Sequence, residues 1–136
     1  MKYKFFFITI ILLVVLGCSE PQPCPSELKF NPEGNITTLE DELYTGRCMV
    51  FNEDGNKASI QQYLNGVDYG NWIFYFNNGN TKTKGKFKNG KKVGVWKYYY
   101  ENGNLKLNSK YSESGKKIGV WKVYDSLGSL TGENRY

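Results

Sequence analysis

A period of 24 residues runs through this chain and restricts its fold more than any other feature. Gly70-Asn71-Trp72, Gly94-Val95-Trp96 and Gly119-Val120-Trp121 place their glycines 24 and 25 residues apart. A further step of 24 toward the N-terminus reaches Gly46-Arg47-Cys48, where a cysteine takes the tryptophan's place. The chain therefore divides into four units, 46–69, 70–93, 94–118 and 119–136.

Inside a unit the pattern is that of a β-hairpin. An aromatic run follows each marker, as in Trp72-Ile73-Phe74-Tyr75-Phe76, Trp96-Lys97-Tyr98-Tyr99-Tyr100 and Trp121-Lys122-Val123-Tyr124, and such runs read as strands. A turn comes next, at Asp54-Gly55, Asn78-Gly79, Asn102-Gly103 and Leu127-Gly128. Asn-Gly and Asp-Gly between strands predict type I′ turns, with positive φ at both central residues. A return strand carries Tyr63, Phe87, Tyr111 and Tyr136, spaced 24, 24 and 25. A second turn closes each unit at Asn65-Gly66, Asn89-Gly90 and Ser114-Gly115, and the one extra residue of the third unit sits there, where an insertion disturbs pairing least. The expectation is an all-β fold, an antiparallel meander of about eight strands made of successive hairpins in one elongated sheet. Glycine, asparagine and aromatic residues are abundant and alanine nearly absent, which suits strands and tight turns.

The arrangement Gly-Xaa-Trp-Xaa-Xaa-Tyr-Tyr-Xaa-Asn-Gly, cleanest from Gly94 to Gly103, resembles the variant MORN repeat of the YwqK-type antitoxin family. The resemblance covers residues 46–136 and departs from the pattern at Cys48 and Leu127. It implies an elongated hairpin sheet that binds rather than catalyses, and its antitoxin label implies a protein that sequesters a toxin.

The N-terminus points to an address. Met1-Lys2-Tyr3-Lys4 is a short basic start, and the apolar run Phe5 to Leu16 follows, the order of a secretory signal. As a helix that run would reach about 18 Å, short of the roughly 30 Å hydrocarbon core of a bilayer. It ends at Val15-Leu16-Gly17-Cys18, which resembles the lipobox of bacterial lipoproteins. That resemblance implies cleavage of residues 1–17 and acylation of Cys18, and two or more acyl chains give durable attachment. Ser19 and Glu20 follow the cysteine, which by resemblance to lipoprotein sorting leans toward the outer membrane, on its periplasmic or surface-exposed side.

Residues 18–45 read as a tether, held extended by Pro21, Pro23 and Pro25, and a degenerate leading half-repeat in which Phe30-Asn31-Pro32-Glu33-Gly34-Asn35 echoes Phe51-Asn52-Glu53-Asp54-Gly55-Asn56. Outside the cytoplasm Cys24 and Cys48 have a compartment that permits a disulfide, with two buried free thiols as the other reading.

Alternation along strands sorts the remaining side chains. Trp72, Trp96 and Trp121, with Phe74, Tyr98, Phe87 and Tyr111, are assigned to the repeat core. Lys82, Lys84 and Lys86 line the other face with Tyr75, Tyr99 and Tyr124, and this is the candidate binding face. Residues 46–136 hold 15 basic and 7 acidic side chains, net +8, whereas residues 18–45 hold 1 and 6, net −5. The asymmetry fits an anionic partner surface, a protein or a glycan, with nucleic acid ranked below these; a solvated lysine face that blocks edge aggregation is the other reading.

The chain contains no histidine, which removes Ser-His and Cys-His nucleophile pairs and His-based metal sites. Glu40-Asp41-Glu42 lacks the spacing of a calcium loop. No catalytic residue, cofactor or metal is expected. The function read from sequence is a membrane-anchored envelope lipoprotein acting as a non-catalytic binding or scaffold module, with an antitoxin or immunity protein as the alternative.

Overall fold

Each unit folds as an antiparallel hairpin, and the hairpins join edge to edge. The computed structural model describes residues 20–136, and the signal segment and Cys18 lie outside the described residues. Among the described residues every regular element is a strand. β1 (Lys29–Asn31), β2 (Ile36–Leu39) and β3 (Glu42–Leu43) form a small antiparallel sheet. β4 (Gly46–Phe51), β5 (Lys57–Leu64), β6 (Val67–Asp68), β7 (Gly70–Tyr75), β8 (Thr81–Lys88), β9 (Lys91–Tyr99), β10 (Leu105–Tyr111), β11 (Val120–Tyr124) and β12 (Leu130–Arg135) build the main sheet. Its order is β12-β11-β10-β9-β8-β7-β5-β4, with β6 also paired to β5. Because β6 and β7 are two halves of one path broken at Tyr69, the expected eight-strand meander is what forms.

The turns differ from expectation in one respect. At the hairpin tips only the glycine has positive φ, as at Gly55, Gly79, Gly103 and Gly128, and the residue before it does not. The Gly79 amide donates to the Phe76 carbonyl at 2.9 Å and the Phe76 amide to the Asn80 carbonyl at 2.8 Å, and the other three tips repeat the pattern. This is a type I turn closed by a G1 bulge, not type I′. The asparagines are committed elsewhere: Asn78 and Asn80 each donate through Nδ2 to the Glu101 carbonyl at 3.0 and 2.7 Å, and Asn102 and Asn104 do the same to Ser126 at 2.8 Å. The second tip is thereby stitched to the third and the third to the fourth, and since the residue before the glycine keeps negative φ, Leu127 fits there without strain.

Type I′ geometry occurs instead at the opposite end of the units. Asn65 and Gly66 have φ of 51° and 76°, and Asn89 and Gly90 have 51° and 72°. In the third unit the extra residue lengthens this loop, so that Gly115 donates to the Ser112 carbonyl at 3.0 Å and Ser112 to Lys116 at 2.8 Å. The longer loop spares Ser114 a left-handed conformation that serine adopts poorly.

The marker glycines Gly70, Gly94 and Gly119 have φ of 68°, 66° and 72°. Along β8 and β9 the register moves from Lys84↔Lys97 to Lys86↔Val93, so residues 94–96 bulge opposite Gly85. The bulge turns Trp96 back over the preceding strand, where its Nε1 donates to the Lys86 carbonyl at 3.1 Å. Trp72 and Trp121 repeat the bond to Gln62 at 2.9 Å and Lys110 at 3.2 Å. A buried indole N–H is thus satisfied in every unit that has one.

The tryptophans are the core, at 7%, 1% and 8% exposure for Trp72, Trp96 and Trp121. Return-strand rings interleave with them: Tyr63–Trp72, Trp72–Phe87, Phe87–Trp96, Tyr111–Trp121 and Trp121–Tyr136 have centroids 4.8 to 5.4 Å apart. Phe74, Tyr98 and Val123 flank the row, half-buried. A single-layer sheet has no second layer to cover it, and this aromatic row supplies the apolar packing instead.

Residues 20–45 form a folded cap, in which the proline segment expected as an extended tether is docked on the sheet. The Cys24 amide donates to the Met49 carbonyl and the Met49 amide to the Gln22 carbonyl, both at 2.8 Å, laying the chain parallel to β4 along its outer edge. Cys24 and Cys48 form a disulfide. Cys48, in the tryptophan position, is 2% exposed, so the bridge fills the space the indole fills in later units. The β1–β2 hairpin, the half-repeat expected from sequence, turns away into its own small sheet and is tied to the first type I′ turn by Thr37 donating to Gly66 at 2.7 Å and Gly66 donating to Tyr44 at 2.7 Å.

Candidate binding face

Strand alternation in β8 is strict: Lys82, Lys84, Lys86 and Lys88 are exposed on one face, while Thr81, Thr83, Gly85 and Phe87 turn inward toward the aromatic row. Lys84 lies across from Ile73 on β7 and from Lys97 on β9, and Lys86 across from Asn71. The face is hollowed. Arg47, Ile73, Lys84, Lys86, Val95 and Lys97, drawn from four strands, line a groove of about 390 Å³.

Lysine stems cover part of the aromatic surface here. Lys84 Nζ sits 5.5 Å from the Tyr99 ring centroid, Lys82 Nζ 5.7 Å from Phe76 and Lys106 Nζ 5.2 Å from Tyr100, distances at which a cation is attracted to the ring face. Tyr75, Tyr99 and Tyr124 are half-buried, Tyr99 beneath Lys84, and are not an open ladder for stacking.

Neutralisation is uneven across the sheet. Lys88 meets Glu113 at 2.8 Å and Lys122 meets Glu133 at 3.5 Å. The hydrogen bond and charge of Glu113 push the Lys88 ammonium upward, and the same bond holds the Glu113 carboxyl below its usual range. Among the described residues no carboxylate lies within 4 Å of the charged groups of Arg47, Lys84, Lys86 or Lys97.

A second groove, of about 460 Å³, opens on the aromatic face, where Phe74, Phe87, Trp96, Tyr98 and Lys92 meet. Lys92 Nζ lies 4.4 Å from the Trp96 ring centroid and donates to the Tyr98 hydroxyl at 2.9 Å; Lys117 repeats the stacking on Trp121 at 4.8 Å and Tyr136 at 4.9 Å. Burial raises the Tyr98 and Tyr111 hydroxyls here and pushes Tyr63 to about 12. Asp68 holds the corresponding place one unit earlier, and burial raises its carboxyl.

Sequence reasoning found Lys82, Lys84 and Lys86 but missed Arg47, Lys97 and Lys92. The signal was in the repeat: Lys97 and Lys122 directly follow their tryptophans, and Lys92 and Lys117 stand two residues before their marker glycines. Among the described residues no group of three or more His, Cys, Asp or Glu side chains is placed to hold a metal ion.

The family model described as MORN repeat variant matches residues 68–89 and 92–113, each stretch spanning one of the two most regular hairpins. No curated protein and no solved structure matches the chain.

Proposed function

We propose that this chain is an envelope lipoprotein, anchored through acylated Cys18 to the outer membrane, whose repeat sheet is a non-catalytic binding and scaffolding module. The observation that carries the reading is a continuous antiparallel sheet with a groove on one face, lined by Arg47, Lys84, Lys86 and Lys97, none of which has a carboxylate within 4 Å among the described residues. Such a face is suited to holding a partner by charge and shape. MORN repeats serve generally as protein- or membrane-binding modules, which supports the same reading.

Two measurements test it. The Cys18→Ala protein is expected in the soluble fraction with its β circular-dichroism spectrum intact, and continued sedimentation with membranes would refute the anchor. Affinity capture with the acylated protein from its native envelope, without cross-linking, is expected to recover a partner that high salt releases. Recovery of one tightly held, salt-resistant protein would favour the toxin-sequestering alternative.

A further inference from the structure

The lysine groove carries a more specific assignment, which rests on the binding-module reading above. We propose that Arg47, Lys84, Lys86 and Lys97 form a binding site for a segment of acidic polysaccharide, with Ile73 and Val95 as its apolar floor.

The charge arrangement asks for an anion. Lys84 and Lys97 are directly paired across β8 and β9, and like charges in that relation destabilise a sheet. No carboxylate of the described chain relieves them, although Glu113 and Glu133 relieve Lys88 and Lys122 nearby on the same sheet. Neighbouring strands are about 4.8 Å apart, so the pair offers two cations at short spacing, and Arg47 and Lys86 extend the row along the groove. A linear polyanion with closely repeated charges matches that row.

Shape and backbone chemistry narrow the class. The site is a hollow fed by four strands, which a flat bilayer surface does not enter. The β7, β8 and β9 backbones that run beneath it are paired on both sides, so an extended peptide finds no open edge on which to add a strand. Single-stranded nucleic acid is held by stacking its bases on exposed rings, and Trp72, the aromatic side chain lining the groove, is 7% exposed. A sugar chain needs neither an edge nor an open ring: its carboxylates meet the cations and its C–H faces rest on Ile73 and Val95.

The test uses the Cys18→Ala chain, which carries no acyl group to enter a bilayer, in detergent-free buffer, titrated calorimetrically with polygalacturonate, and with dextran, poly-glutamate and phosphatidylglycerol vesicles as comparators. Polygalacturonate is expected to bind, weakening with added salt, while dextran does not. The double variant Lys84→Gln/Lys97→Gln is expected to lose about tenfold or more in affinity, with a melting temperature equal to or above that of the parent because the like-charge pair is gone. The variant Lys91→Gln/Lys116→Gln removes the same charge from the exposed start of β9 and an exposed loop position and is expected to change affinity by less than about twofold.

Equal losses in the two variants would mean diffuse attraction and overturn the site. Poly-glutamate or vesicles binding as tightly as polygalacturonate would overturn the polysaccharide class. If polygalacturonate fails to bind while envelope capture still recovers a partner, this assignment alone falls; if capture fails too, the binding-module reading falls with it.

Discussion

Gly85 and Gly132 both sit inside strands, and the structure assigns opposite signs to their replacement by alanine. Alanine is preferred to glycine in a strand interior by about 0.5–1 kcal/mol, so propensity alone favours both changes. At Gly85 a Cβ would lie 2.2 to 2.6 Å from three indole carbons of Trp96. That indole has little room to yield, being 1% exposed, bonded through Nε1 to Lys86 and packed 4.9 Å from the Phe87 ring. Overpacking of this kind costs about 1–3 kcal/mol, and displacing the indole sacrifices a hydrogen bond worth about 1 kcal/mol. Net destabilisation by Gly85→Ala is therefore about 1.5–3 kcal/mol, or about 4 °C in Tm for each kcal/mol in a chain of this size. At Gly132 nothing lies within 4 Å of the added Cβ, and Gly132→Ala is expected to be neutral or to stabilise by about 0.5 kcal/mol. Urea unfolding followed by tryptophan fluorescence measures both. Gly85→Ala proving as stable as Gly132→Ala would refute the packing of Trp96 across β8, and with it the role given to the Gly94 bulge.

Truncating Trp96 itself to alanine is expected to cost about 3–5 kcal/mol, and unchanged thermal unfolding would mean that the ring is not core. Replacing both Cys24 and Cys48 by serine opens a loop of 24 residues and is expected to lower stability by about 3 kcal/mol; a change too small to measure would mean that the backbone bonds to Met49 hold the cap unaided. Tyr63 stays protonated in the folded chain to about pH 12 but ionises near pH 10 when unfolded, so stability falls as pH rises from 10 to 12. Tyr63→Phe should flatten that part of the profile, and an unaltered slope would place the effect elsewhere. Asp68, raised by burial, acts in the same sense at acid pH: the folded chain holds its proton longer, so the group favours folding below its ordinary range and opposes it above. Asp68→Asn is accordingly expected to raise Tm at neutral pH and to lose that gain as the pH is lowered through the carboxylate range.

Much of the fold is readable along the chain because a 24-residue repeat states each local decision several times. The tryptophan markers, the return aromatics Tyr63, Phe87, Tyr111 and Tyr136, and the alternation of lysines in residues 82–88 each report a side chain's face through a period of two. The tip turns depart from expectation because Asn-Gly is compatible with two hairpin geometries; at every tip an Oδ1, of Asn52, Asn78, Asn102 or Asp125, accepts a backbone amide across the turn, and two of the tips also bond carbonyls of the neighbouring hairpin, 21 to 24 residues away. The half-repeat at the start of the array is legible in the echo of Phe30–Asn35, but the docking of residues 22–24 is not, because proline-rich composition describes an isolated extended segment, whereas its pairing with β4 depends on an edge that exists only after the sheet has formed.

Repetition and alternation, being local, were thus enough to establish an all-β meander, the identity of its core rings and the presence of a basic face. Three things belonged to tertiary structure alone: the gathering of Arg47 from β4 and Lys97 from β9 into one groove with Lys84 and Lys86, the cover of Tyr99 by Lys84, and the folding of Trp96 over Gly85. Each depends on how one strand is bent and registered against another. A pattern read along a single strand says which face a residue occupies, but not how closely its neighbours approach.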